Sequence, residues 1–339
     1  MLKKIVITFV FIVSFLVVWQ WPLLIYGIQQ GKGQLNVILN AKPINYFLED
    51  ENFPDSLKEK LIIAQQARTF AMHRLGLNDS ENYTKMYDQK GEVLLWNLSA
   101  CAPYQLQPYQ WRFPFLGEMP YKGFFDLDKA KQEQVKLDKL GYDTRIRPVG
   151  GWSTLGILND PILSNMLNRS DGALAEVIIH ELTHSTIFIK NNIEFNENLA
   201  SFIGEQGAQE FLAEKFKQSP EKFESYIVSE KDGWMFRQHM LIGTDSLNQL
   251  YLKMDNSLED KNKSTLKSEL IQKIVSQLDT VSFTNQRYKK IFDKQLPNNA
   301  YFMSLKRYHS QKDTLNDLYA NYDHNIKNMI EGLKESYGK

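Results

Sequence analysis

The stretch Val177–Gln206, VIIHELTHSTIFIKNNIEFNENLASFIGEQ, decides how this chain is read. It contains His180-Glu181-Leu182-Thr183-His184 within a segment whose apolar residues recur at helical spacing. Residues i and i+4 share one face of a helix, so the two imidazoles can reach a single ion. Glu181 lies beside them, where it can take a proton from a water that the ion activates.

Two ligands are not enough, because a catalytic zinc site has three protein ligands and one open position. The Gly and His that would continue the motif in a metzincin are replaced by Ile187 and Lys190. Asn191-Asn192 reads as a turn and Asn196 as a helix N-cap. The chain is therefore expected to leave the first helix near Lys190, reverse, and enter a second helix at Glu197. The first helix rises about 9 Å from His184 to Lys190, and beyond the Asn191-Asn192 turn the five residues back to Glu197 span roughly 16 Å when extended. Glu197 can thus return to complete a His-His-Glu set. Glu194, in the connecting turn, and Glu205, two turns beyond Glu197 on about the same face, compete for the place. The expected site is one Zn2+ per chain on His180, His184 and Glu197, with Glu181 as the base. Asn196 and Ser201 are expected to steady the ligands.

These residues carry a resemblance. Glutamate zincins pair H-E-x-x-H with a downstream N-E-x-x-A, here Asn196-Glu197-Asn198-Leu199-Ala200. More closely, the chain resembles the family of predicted bacterial aminopeptidases. The resemblance extends to Gly31-Lys32-Gly33-Gln34-Leu35, Leu94-Leu95-Trp96-Asn97, Trp111-Arg112-Phe113-Pro114, Tyr121-Lys122-Gly123-Phe124-Phe125, Ser153-Thr154-Leu155-Gly156 and Asp160-Pro161-Ile162-Leu163-Ser164. It covers most of residues 26–215. It implies an α+β, zincin-like metallopeptidase core with a small sheet, acting on peptides. The G-x-M-E-N segment with which the best-known aminopeptidases of this type hold the substrate amine has no match; Gly117-Glu118-Met119-Pro120 is a distant echo. Glu118 and Glu205 are the carboxylates expected to hold that amine. In zincins the edge strand beside the zinc helix binds the substrate backbone, which gives Ser153, Thr154 and Gly156 that expected role. A Tyr or His usually stabilises the oxyanion; Tyr308, clustered with Tyr301 and His309, is the expected donor. An envelope endopeptidase and a non-catalytic binding protein with a structural zinc site are the alternatives.

The remaining sequence sets the frame. Forty basic and forty acidic residues cancel, so no field steers the chain to nucleic acid. Aromatic residues make up 12% of it, which fits a packed globule. Lys3-Lys4 precede an apolar run from Ile5 to Trp19, with a weaker tail to Tyr26. No small-x-small cleavage site follows, so residues 1–27 are expected to be a signal anchor or transmembrane helix, with its N-terminus cytoplasmic. The chain would contact the membrane there, and residues 28–339 would be exported to the periplasmic or extracytoplasmic side. The lone cysteine, Cys101, excludes an internal disulfide and an N-terminal lipid anchor.

Within the exported part, residues 28–170 are expected to form the sheet and cleft, 171–217 the zinc helices and 218–339 a helical part. A helix is expected from Pro54 to Gly76, carrying His73 as a packing residue. Strands are expected at Glu92–Cys101 and Asp143–Val149, joined by a proline- and aromatic-rich loop and a helix ending at Gly141. After Glu205 the pattern predicts helices at roughly 207–217, 219–230, 244–257, 263–279, 284–294 and 311–337.

Overall fold

The computed structural model describes residues 21–113, 117–151, 158–255 and 257–337. The fold is mixed α and β, mostly helical, with small sheets. At its centre lie two helices, α5 (Asp171–Thr186) and α6 (Ile193–Lys215). Leu174, Ala175, Ile178, Ile179 and Leu182 give α5 one fully buried face. They pack on Leu199, Phe202 and Ile203 of α6 and on the helix α3 (Asp55–His73), through Leu61, Ala64, Ala67 and Phe70. Each large aliphatic side chain buried there stabilises the fold by about 1.5–3 kcal/mol.

Four helices precede or flank this centre: α1 (Trp21–Asn40), α2 (Ile44–Glu49), α3, and α4 (Leu127–Lys139). Asp126 caps α4 by accepting from the Asp128 and Lys129 amides. The main sheet has the order β6 (Lys122–Phe124), β3 (Trp96–Cys101), β7 (Asp143–Pro148), all antiparallel. Alternation along the strands gives the sheet two distinct faces. Trp96, Leu98, Phe124 and Ile146 pack with Ala130 and Leu137 of α4. Asn97, Gly123 and Arg147, paired in register across the three strands, lie on the other face and line a cleft. A second sheet joins β1 (Lys42–Pro43), β2 (Lys85–Tyr87) and β8 (Ile162–Leu163), and β4 (Trp111–Phe113) pairs with β5 (Gly117–Met119). The proline- and aromatic-rich segment expected as a loop thus contains a hairpin and a strand, with Tyr109 and Trp111 in edge contact.

The connection between the two central helices differs from expectation. Helix α5 ends at Thr186, because Ile187 takes an extended conformation, and Asn191 turns the chain with a φ of 62°. Asn192, and not Asn196, caps α6, accepting from the Phe195 amide at 3.3 Å. The Asn196 side chain instead accepts from Ile189 N and donates to Ile189 O, both at 2.8 Å, stapling the turn.

The C-terminal half is helical, with different boundaries. The helices expected at 219–230 and 244–257 are one helix, α7 (Pro220–Lys253), whose Gly243 sits against Ile274 of α8 (Asp260–Ser276). Residues Gln286–Lys290 form only a 3-10 turn. Helix α9 (Asn299–His309) was not expected; Asn298 caps it by accepting from the Tyr301 amide. The span 311–337 is split into α10 (Lys312–Ala320) and α11 (Ile326–Tyr337) by Asp323 and His324, both at positive φ.

No helix among the described residues is long and apolar enough to cross a membrane. The run Ile5 to Trp19 lies outside them. Its expected tail belongs to α1, where Tyr26 donates to Gly123 O at 2.9 Å and stacks on Phe113.

Candidate metal centre and cleft

A cleft of about 1350 Å³ runs between the inner face of the main sheet, α1, and one face each of α5 and α6. On α5 that face carries Ala173, Glu176, Val177, His180, Glu181 and His184, which is helical spacing on the side opposite the buried aliphatic residues. On α6 it carries Ile193, Asn196, Glu197 and Ser201.

The two elements bring three donor atoms together. His180 Nε2 and His184 Nε2 are 3.2 Å apart, and Glu197 Oε2 lies 3.4 Å from the first and 3.5 Å from the second. Around an ion with tetrahedral bonds of about 2.0–2.1 Å, ligand atoms stand about 3.3–3.4 Å apart. The donor set therefore fits a metal ion in both chemistry and spacing. Glu181 is also at hand: His180, Glu181 and His184 offer ligand atoms within 4.8 Å of one another.

The local electrostatics are strong. Burial works against the charged form of Glu197, yet the two histidines hold its carboxyl well below the usual range. Burial pushes the Glu181 carboxyl up to about 7, opposed by His180 and reinforced by Glu197. Glycine at 151 lets the chain pass over Glu181, since a Cβ there would lie 2.5 Å from its Oε1.

Tyr308 lines the cleft, its ring centroid 6.4 Å from that of His180. Arg147 Nη2 donates to its hydroxyl at 3.2 Å, and burial followed by Glu197 pushes that hydroxyl up to about 12. Asn198 fixes this placement: its Nδ2 donates to Arg307 O at 2.7 Å and its Oδ1 accepts from Gln311 N at 2.9 Å. The three residues Asn196, Glu197 and Asn198 thus staple the turn, enter the donor cluster, and clamp the end of α9.

The other expected site residues are distributed unevenly. Ser201 lines the cleft. Glu194 lies in the first turn of α6 and accepts from Ser310 Oγ at 3.0 Å, away from the donor cluster. Glu118 pairs with Arg112 at 2.9 Å and lines a separate pocket of about 560 Å³ with Glu194 and Arg307. Glu205 is buried with its carboxylate held by Arg237 at 3.0 Å and Lys312 at 2.6 Å, and these cations keep it low against the effect of burial. Neither carboxylate reaches the cleft, because each is turned toward its own cation. Ser153, Thr154 and Gly156 lie outside the described residues.

Reading the sequence assigned no role to Tyr121, Arg147 or Glu176 and named His309 only in the cluster with Tyr308; all four line the cleft. Burial raises the Tyr121 hydroxyl, with Glu197 adding to it, and burial followed by Arg237 pushes the His309 imidazole down to about 3. Glu176 carried a readable cue, standing four residues before His180 on the same helical stripe. Arg147 and Tyr121 carried none, since strand pairing and packing across the chain bring them in.

The family model described as "putative aminopeptidase" matches residues 25–337. No curated protein and no solved structure matches the chain.

Proposed function

We propose, from the premise that this chain belongs to the putative aminopeptidase family, that it is a zinc metallopeptidase cutting residues from the N-terminus of peptides. Family membership supports a peptidase-like function; the metal, the mechanism and the end of the substrate attacked are our reading. The observation that carries it is the convergence of the His180, His184 and Glu197 donor atoms beside Glu181. His180, His184 and Glu197 would hold one zinc ion, which when bound supplies Lewis acidity for a scissile carbonyl and for water.

The chain's own residues do the rest. Glu181 accepts a proton from water at its carboxylate and returns it to the leaving amine. The Tyr308 hydroxyl already accepts from Arg147, so its proton is available to donate to the oxygen on which negative charge develops. The walls of the cleft, with Phe125, Val149 and Phe188 among them, exclude bulk water and strengthen those interactions.

Hydrolysis of a peptide library by wild type and by Glu181→Gln tests this reading. Wild type is expected to cleave and the variant to lose about two orders of magnitude or more, as a general base contributes. Equal turnover would contradict the mechanism, and no turnover by either would favour a non-catalytic binding protein. One observation favours internal cleavage as a second reading: at about 1350 Å³ the cleft exceeds the usual small-molecule pocket of about 300–1,000 Å³. Scoring the library by cleavage position separates the two.

The membrane anchor is proposed on the apolar run Ile5 to Trp19 behind Lys3-Lys4, with the peptidase exported. Full-length protein should resist alkaline carbonate extraction, and deletion of residues 1–20 should release it; an extractable full-length chain would rule the anchor out.

A further inference from the structure

Glu176 lies on the cleft face of α5, one turn before His180. A Cβ built on Gly204 of α6 would meet both the Glu176 Cγ at 3.4 Å and the His180 Cβ at 3.3 Å, so the two side chains leave the helix side by side. Among the described residues the Glu176 carboxylate makes no hydrogen bond and no ion pair, although it is partly buried.

Its cationic neighbours are already engaged. Arg237 lies between Glu205 at 3.0 Å and Glu230 at 3.6 Å, and Arg169 donates to Gly150 O at 2.9 Å. His309 is neutral, with its imidazole pushed down by burial. Burial, helped by Glu230 and Glu205, accordingly pushes the Glu176 carboxyl up to about 8. A carboxylate with this environment has room for one more cation, and it faces the cleft.

We infer that Glu176 is the residue that holds the free α-amine of the peptide substrate. The inference rests on the peptidase reading and adds to it the group that selects the substrate's end. The dimensions agree. In a peptide the N-terminal nitrogen lies about 2.5 Å from its own carbonyl carbon. Four residues of helix rise about 6 Å. A first carbonyl placed at the His180–His184–Glu197 cluster therefore leaves its ammonium within reach of a carboxylate one turn earlier on α5. Glu118 and Glu205 do not line this cleft, and each is paired with its own cation.

The test is a binding measurement in the Glu181→Gln protein, which should not consume its ligand. A tetrapeptide amide beginning with leucine is compared with its N-acetyl twin and with a third, N-acetylated, peptide beginning with lysine. The free amine should bind roughly ten- to a hundredfold more tightly than the acetylated leucine peptide, as expected for a charge-assisted contact. Adding Glu176→Gln should bring the two within about twofold, with zinc content and melting behaviour recorded to show an intact fold. Persistence of the preference in the double variant overturns the inference. So does tight, Glu176-dependent binding of the acetylated lysine peptide, which would make Glu176 a side-chain selector. Failure of the wild type to hydrolyse any peptide would refute the peptidase reading and leave this binding ratio to be read separately.

Discussion

Glu176 and Glu181 both line the cleft from α5, and burial raises both; His180 offsets the effect for Glu181, Arg237 and Arg169 for Glu176. For Glu176 the consequence is a measurable cost. Its carboxyl rises from an ordinary 4.5 to about 8, facing Glu230 and Arg237 from α7, Glu205 from α6 and Arg169 ahead of α5. Between those two values the folded chain binds more protons than the unfolded one, so stability falls as pH rises through that window. Glu176→Gln removes the titration. The variant is predicted to melt higher than wild type at pH 8 and to lose that advantage near pH 4.5, as thermal unfolding at the two pH values will show. An advantage independent of pH would contradict the assignment. A residue kept at such a cost is what a functional site requires. At this scale the sequence was informative wherever covalent spacing alone sets geometry: His180, Glu181 and His184 are fixed by one helical turn. The availability of Glu176 was not legible, because it depends on Arg237 being committed to Glu205 and Glu230 by a helix far along the chain.

The working element is the hairpin of α5 and α6, and its precision depends on Gly204. A methyl group there would sit 3.0 Å from the Glu176 carbonyl oxygen and 3.3 Å from the His180 Cβ. The backbone oxygen cannot swing aside as a side chain can, so the helices would have to separate. Gly204→Ala is predicted to cost about 1–3 kcal/mol by overpacking and to weaken metal binding, since the donors come from both helices. Chemical denaturation and metal titration check this together; full stability with full affinity would show that the helices have slack. The hairpin was legible in outline because a turn lies between two apolar-periodic runs. Its ends were not, since Asn191, Asn192 and Asn196 all suit a cap and only tertiary contacts decide that Asn192 caps while Asn196 staples Ile189. Helix α9, which carries Tyr308, was missed for a related reason. It is short, and much of what holds it comes from distant partners, with Asn299 Nδ2 donating to Ala102 O and Asn198 Nδ2 donating to Arg307 O.

Across the whole molecule, α1 closes the cleft over the main sheet, pinned by Tyr26 and Gln30, which both donate to Gly123 O. Gly33 permits this approach, since a Cβ there would run into the Phe125 ring. Along α1, Ile28 and Leu39 are 70% and 76% exposed, with Leu24 and Leu35 on the same stripe, and its first part, Leu24 and Ile28, also lines the cleft. In sequence that helix follows the apolar run Ile5 to Trp19. The mixed fold class was readable from strand and helix periodicities. The way α1 covers the site was not, because an apolar run gives no sign of which protein surface it meets. The account stands or falls on whether His180, His184 and Glu197 hold a metal. Native mass measurement of the purified chain tests this most directly. One zinc per chain is predicted for wild type and for Glu181→Gln, with marked loss in His180→Ala, His184→Ala and Glu197→Gln. A wild type that takes up no zinc, or the three ligand variants retaining it undiminished, would contradict the account.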